Sequence, residues 1–234
     1  MYVVEGDKMV REYLRAGMPV KSLICKKEWL NSLEKGLTDG VDEIIPVSFD
    51  ELRSISTLSA PHNALALVST GTSVEKEEAQ EGTYTIALET IQDPGNLGTI
   101  IRSAWWFGVQ HIVCSKDSVD CYNPKVVQAA MGGLIGVRVS YRDLQPYLTA
   151  AAAEGKEIVA TSPGAPSVYE FNPRRSEGIL LFGNESKGLS KAACNLATVA
   201  TGIPGKREDN STGSLNVAMS VSVVLSEFSR RKLI

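Results

Sequence analysis

The spacing of apolar positions changes several times along the chain, and each change marks an element. Over residues 6–16, Met9, Val10, Tyr13 and Leu14 fall on one side of a predicted helix. A short strand over 22–25, a helix over 28–35, a strand over 43–46, a helix over 48–55 opened by a Ser48 cap, and an apolar strand over 64–68 follow. Strands alternating with helices in so short a stretch predict a small α/β or α+β module. The pattern then breaks: residues 69–83, STGTSVEKEEAQEGT, are polar, acidic and nearly free of large apolar side chains. This segment reads as a linker or exposed loop, dividing the chain into 1–70, a linker over 71–83, and 84–234.

The second part has longer apolar runs. Residues 84–91 predict a buried strand and DPGN at 93–96 a turn. A helix over 97–107 has Leu97, Ile100, Ile101 and Ala104 at core spacing, and Gly108 is its stop. Strands follow at 111–114, 157–161, 178–183 and 198–204, with helices from 124 to 131, from 144 to 154 and from 214 almost to the end. Apolar strands alternating with helices predict an α/β domain with a mostly parallel sheet.

Composition narrows the class only slightly. The 234 residues are 43% hydrophobic, ample for a core, and the formal net charge of -3 gives no global attraction to nucleic acid. A local patch of Lys and Arg suffices to hold phosphates, so RNA stays open as a partner. The opening MYVVEGDKMVREYL is charged throughout, unlike a signal peptide, and no stretch approaches a membrane span. Cys25, Cys114, Cys121 and Cys194 lack metal-ligand spacing, and three lie in or beside apolar segments, as reduced thiols of a cytoplasmic protein do.

Three segments carry candidate chemistry. In the first, IQDPGNLGTIIR at 91–102, a strand enters a glycine-bearing turn and a helix. Free backbone N–H groups at that junction suit an anionic or polar ligand. Its glycines alone read as an ordinary strand–helix turn, and neither dinucleotide nor P-loop fingerprints are present. Asn96 and Arg102 stand out, because a guanidinium offers a rigid five-donor fork suited to phosphate or hydroxyl oxygens. Arg102 is equally readable as a surface residue paired with a carboxylate. In the second, ILLFGNESKGL at 179–189, an apolar strand ends in a Gly183 turn carrying Glu185, where ligands of parallel sheets bind; a plain helix-capping role for Glu185 fits as well. The third comprises Gly202-Ile203-Pro204, a polar loop, and SLNVAMS at 214–220. Ser214 reads as the cap of the last helix. Asn216, a poor helix former, is expected in its first turn, facing a ligand at the strand ends.

Together these segments resemble the SpoU family of RNA 2′-O-ribose methyltransferases, within the knotted methyltransferase superfamily. DPGNLGTIIRSAWWFGV, LLFGNESKGLS and IPGKREDNSTGSLNVAMSVS stand in the family's order and near its spacing, from about Glu89 to the end of the chain. DCYNPKVVQAAMGGLIGVRV between them also looks like family sequence, and the N-terminal part resembles the ribosomal-protein-like RNA-binding domain of many members. The resemblance implies a trefoil knot at the carboxyl end of the sheet, which general topology rules would not predict. It implies S-adenosylmethionine as cofactor, contacted near Gly183, Ile203 and Leu215, and a catalytic centre formed by Asn96, Arg102, Glu185, Ser214 and Asn216. It also implies a homodimer with the site near the subunit interface. The loop between Ile203 and Ser214 is longer and more charged than the common family version.

The reaction so implied moves a methyl group onto a ribose 2′-hydroxyl, with ribosomal RNA expected first and transfer RNA second. Asn96 and Glu185 are expected to orient Arg102 and the nucleotide, and Ser214 and Asn216 to close the cofactor and substrate side. No metal is called for, and neither His62 nor His111 lies in a motif. Two competing readings are a nucleotide-cofactor α/β enzyme of another class and a non-catalytic RNA-binding protein.

Overall fold

The computed structural model describes residues 1–70, 84–175, 177–205 and 215–234. Two sheets organise them. The first has strands β1 (Tyr2–Glu5), β2 (Val20–Cys25), β3 (Glu43–Pro46) and β4 (Ala64–Val68) in the order β1-β4-β2-β3. Central β4 runs antiparallel to β1 and β2, and β2 is parallel to β3. Helices α1 (Asp7–Arg15), α2 (Lys27–Leu30) and α3 (Phe49–Ile55) connect them. The α1 face predicted by spacing is the buried one: Met9, Val10, Tyr13 and Leu14. Ser48 closes α3 through a reciprocal capping box with Glu51. The helix expected over 28–35 is shorter, because the Ser32 hydroxyl donates to the Trp29 carbonyl at 2.6 Å and draws the chain into turns.

The second sheet has six strands in the order β10-β8-β9-β5-β6-β7, all parallel. They are β5 (Tyr84–Leu88), β6 (His111–Ser115), β7 (Arg138–Arg142), β8 (Glu157–Thr161), β9 (Gly178–Phe182) and β10 (Val199–Thr201). Helices α4 (Pro94–Phe107), α5 (Pro124–Ala130), α6 (Leu144–Ala153), α7 (Lys191–Leu196) and α8 (Val217–Arg230) cover both faces. Alternation along the central strands explains their unbroken apolar runs. Ile86, Leu88, Leu180 and Phe182 face the core shared with α4 and α8, whereas Ala87, Ile179 and Leu181 face the core shared with α6 and α7.

The end of the chain takes an unusual path. After β10, the Gly202 N–H donates to the Pro166 carbonyl and the Val168 N–H donates to the Gly202 carbonyl, both at 2.8 Å. The chain thus runs along the β8–β9 connection. Helix α8 then returns against the central strands, and Phe228 stacks on Phe171 of that same connection at 5.6 Å. This is the knotted α/β arrangement, and its closure depends on contacts far apart in sequence.

The N-terminal sheet is seated on the second part of the chain. Tyr2 stacks on Tyr122 at 4.6 Å, and Val127 of α5 belongs to the N-terminal core. A polar connecting segment predicted few packed contacts between the two halves, but the opposing apolar faces meet nonetheless. The segment 71–83 itself lies outside the described residues.

Helix α5 packs in turn on α4, and Gly98 makes that approach possible. A Cβ at Gly98 would lie 2.5 Å from the Ala129 Cβ and 2.6 Å from the Val126 carbonyl oxygen. At an exposed helical site, Gly→Ala gains roughly 0.5–1 kcal/mol from backbone entropy. Here overpacking, about 1–3 kcal/mol, outweighs it. Gly98→Ala should therefore lower the urea unfolding midpoint; a raised midpoint would show that the α4–α5 contact can move apart at little cost.

Candidate active site

The carboxyl ends of β5, β9 and β10 and the amino ends of α4 and α8 converge. Asp93 caps α4, accepting from the Asn96 N–H at 2.7 Å, with Pro94 in the first turn. Asn96 is therefore helical, and the turn expected over 93–96 is the start of α4. The Asn96 Nδ2 donates to Glu185 Oε1 at 3.0 Å, and its Oδ1 accepts from Asn216 Nδ2 at 3.0 Å. Asn216 Oδ1 accepts from the Ala218 and Met219 N–H groups at 2.9 and 3.3 Å. Asn216 is thus itself the cap of α8, standing just before the helix rather than in its first turn. Ser214, the other expected site residue in this segment, lies outside the described residues.

This relay has only one consistent direction. The cap needs an acceptor, so the Asn216 oxygen faces α8 and its amide NH2 faces Asn96. Asn96 must then accept with its oxygen, and its NH2 points at the acceptor-only carboxylate of Glu185. Asn184 supports the same carboxylate: its Nδ2 lies 3.3 Å from Glu185 Oε2 and donates to the Thr90 carbonyl at 2.8 Å. The Asn184 Oδ1 accepts from the Ser186 and Lys187 N–H groups, folding the turn that presents Glu185.

Thr90 sits at the base of this construction with φ of 57°, unusual for a β-branched residue. Such a backbone costs on the order of 1–3 kcal/mol and persists only where its surroundings enforce it. The Thr90 N–H donates to the Ser115 hydroxyl at 2.7 Å, and its own hydroxyl donates to Asp117 at 2.8 Å. The Ser115 hydroxyl, 2.5 Å from Asp117, holds that carboxyl below the ordinary aspartate range, and Thr90 acts in the same direction. Thr90 and Asn184 were missed in the sequence; the asparagine beside Glu185 in GNES was the signal available for the second.

Arg102 stands apart from the relay. It is exposed, and among the described residues no hydrogen bond or ion pair holds it. Six residues along α4 from Asn96 amount to about 9 Å of rise and about 120° of rotation. Among the described residues neither Asn96 nor Glu185 bonds to Arg102, and helical periodicity puts it on the outer face with Trp106, which is 82% exposed. The histidines also lie elsewhere. His111 opens β6 at the opposite end of the sheet, and burial, aided by Arg138 and Arg142, pushes its imidazole down to about 4.

A second part of the site lies between the Gly183 and Gly202 turns. A Cβ at Gly183 would lie 2.3 Å from the Gly188 carbonyl carbon, so this turn closes only without a side chain. Ile203 is half-buried against the core and Leu215 is 51% exposed. Among the described residues, no hydrogen bond engages the backbone N–H or C=O of Gly183 or Ile203. Backbone donors and acceptors flanked by apolar side chains suit a nucleoside-like ligand.

The parallel knotted sheet and the site at its carboxyl end define a class, and the whole-chain comparison agrees. The model of the SpoU rRNA Methylase family matches residues 83–226, and the chain belongs to that family. The model of an MRM3-like substrate binding domain matches residues 1–66. The 23S rRNA (guanosine(2553)-2′-O)-methyltransferase of Bacillus subtilis is 26% identical over 96% of this chain and 86% of its own length. A TrmH-family structure from Porphyromonas gingivalis is 31% identical with a TM-score of 0.84, covering 98% of this chain and 90% of that one. The AdoMet-bound rRNA methyltransferase of Sinorhizobium meliloti is 26% identical with a TM-score of 0.83, covering 100% of this chain and 88% of that one.

Asn216 has two separable roles, cap and donor. Asn216→Ala removes both and should cost about 0.5–2 kcal/mol in urea unfolding. Asn216→Asp keeps the cap acceptor and should remain near wild-type stability, while losing the donor to Asn96. Equal destabilisation by the two variants would show that the tie to Asn96, not the cap, holds α8 in place.

Proposed function

We propose that this protein transfers a methyl group from S-adenosylmethionine to a ribose 2′-hydroxyl of RNA, with ribosomal RNA as substrate ahead of transfer RNA. The observation that carries the reading is the Asn216–Asn96–Glu185 relay beside the backbone groups of Gly183 and Ile203, which no hydrogen bond engages among the described residues. Membership of an rRNA methylase family and likeness to a 23S rRNA methyltransferase over nearly the whole chain support the choice of RNA. We divide the chain into a substrate-binding part, 1–70, and a methyltransferase part, 84–234, following the two sheets.

The cofactor supplies an activated methyl on a sulfonium. The backbone of Gly183 and Ile203 and the apolar side chains of Ile203 and Leu215 would hold its nucleoside. Glu185, fixed by Asn96 and Asn184, offers an oriented acceptor to the ribose. Arg102 binds the hydroxyl or its neighbouring phosphate. A guanidinium is a poor base, so its part is orientation and stabilisation of charge on the nucleophile.

Homodimer formation completes the arrangement. Helices α4 and α8 run side by side in the same direction, tied by Asn96–Asn216 and, about two turns on, by the Ser103–Ser222 hydroxyl pair at 2.8 Å. Trp106 of α4, Met219 of α8 and Leu215 just before α8 are exposed, at 82%, 55% and 51%, as is Arg102. A second copy is proposed to pack there, with the site near the subunit interface. Among the described residues no helix is long and apolar enough to cross a membrane. Buried free Cys25, Cys114 and Cys121 support a reducing, cytoplasmic setting.

Two measurements test the reading. Calorimetry should detect binding of S-adenosylmethionine or its demethylated product; a folded protein that binds neither contradicts it. Arg102→Ala should cut single-turnover methylation at least about a hundredfold, on the scale of losing one oriented donor, with cofactor affinity and melting unchanged. Arg102→Lys keeps the charge but loses the fork and should behave like Ala; normal turnover in Arg102→Ala would remove this residue from the mechanism.

A further inference from the structure

One end of the N-terminal sheet carries a feature the methyl-transfer site does not use. The carboxyl ends of β1, β2 and β3 and the start of β4 lie together there. Lys26, just past β2, is half-buried; its N–H donates to the Asn63 carbonyl at 2.9 Å and its ammonium to Asn63 Oδ1 at 3.1 Å. Asn63 is itself fixed by Asp7, whose two carboxylate oxygens accept from the Asn63 N–H and Nδ2, each at 2.6 Å. This network sets the Lys26 ammonium 5.3 Å from the centroid of the Phe49 ring. The ring is 45% exposed at the first position of α3, and the Ser48–Glu51 capping box holds that helix start in place.

We infer that Phe49, with Lys26 fixed beside it, is a stacking platform for one unpaired nucleobase of the RNA substrate. The inference rests on the reading that the substrate is RNA. Unpaired bases stack on aromatic faces, and each such contact contributes about 1–3 kcal/mol whatever the base. An ammonium has donors only, so Lys26 adds a bond to a base edge with a carbonyl or ring-nitrogen acceptor. Because Asn63 already orders Lys26, that bond costs little further side-chain entropy. The charges nearby also fit one base rather than a long phosphate track. Exposed Lys27 is offset by exposed Glu28 and Asp50, while Asp7 and Glu51 are engaged by Asn63 and Ser48.

The test uses the full chain and a fluorescent single-stranded RNA of mixed sequence, about ten nucleotides long, beside the same sequence as a duplex. Phe49→Ala should weaken single-strand binding about five- to hundredfold. Phe49→Trp should restore it, and duplex binding should not respond to either change. Helix α3 buries only Leu52, so melting and S-adenosylmethionine affinity should match wild type in both variants. Single-strand affinity unchanged in Phe49→Ala overturns the platform, as does a wild-type chain that binds the single strand no more tightly than the duplex. A wild-type chain that binds RNA through Phe49 yet transfers no methyl group would instead contradict the enzymatic reading and leave the platform standing.

Discussion

The site depends on a single amide. Asn216 has one oxygen and one NH2, and the structure uses both at once: the oxygen caps the start of α8 and the NH2 meets Asn96. Because the cap fixes which way that amide faces, it also fixes Asn96, and through Asn96 the carboxylate of Glu185. Three segments far apart in sequence are therefore set by one rotamer. The returning α8 that brings Asn216 there exists only because the chain passes along the β8–β9 connection. Knotting and site geometry are thus one constraint: without the threading, the relay has no third member.

A second chain of contacts links the two halves of the protein. Tyr2 of β1 stacks on Tyr122, next to the Asn123 cap of α5, and Val127 of α5 completes the N-terminal core. Helix α5 sits on α4 at Gly98, two residues from Asn96. Packed interiors transmit displacement rather than absorb it. Under the proposed function, a nucleic acid bound on the N-terminal sheet would thereby be positioned relative to α4. Excising residues 1–70 would leave Tyr122 and Val127 facing water, so that cut has a cost in stability as well as in recognition.

Much of this was legible in the sequence where a residue's local surroundings decide its state. The apolar run over 178–183 became β9, the 97–107 periodicity became the buried face of α4, and Gly108 ends that helix with φ of 82°. Asn96, Glu185 and Asn216 were singled out and do meet. The misses share a physical origin. Edge strand β7, RVSYR, is polar on its exposed positions and gives little alternation, and β1 is four residues abutting a stronger helical signal. From sequence Asn216 reads as a first-turn residue, because its partner, Asn96, lies far away in the chain. Thr90 carries no sequence mark of a positive φ, which its bonds to Ser115, Asp117 and Asn184 impose. The DPGN segment reads as a turn, whereas α4 already starts at Pro94.

Under the proposed function, the Asn216–Asn96–Glu185 relay serves ribose methylation. The direct measurement is to incubate the protein with total RNA from cells lacking it and methyl-labelled S-adenosylmethionine, digest the RNA to nucleosides, and locate the label. The expected result is label in a 2′-O-methylnucleoside derived from ribosomal RNA. Label confined to a methylated base, or no transfer by folded, cofactor-binding protein, would contradict it.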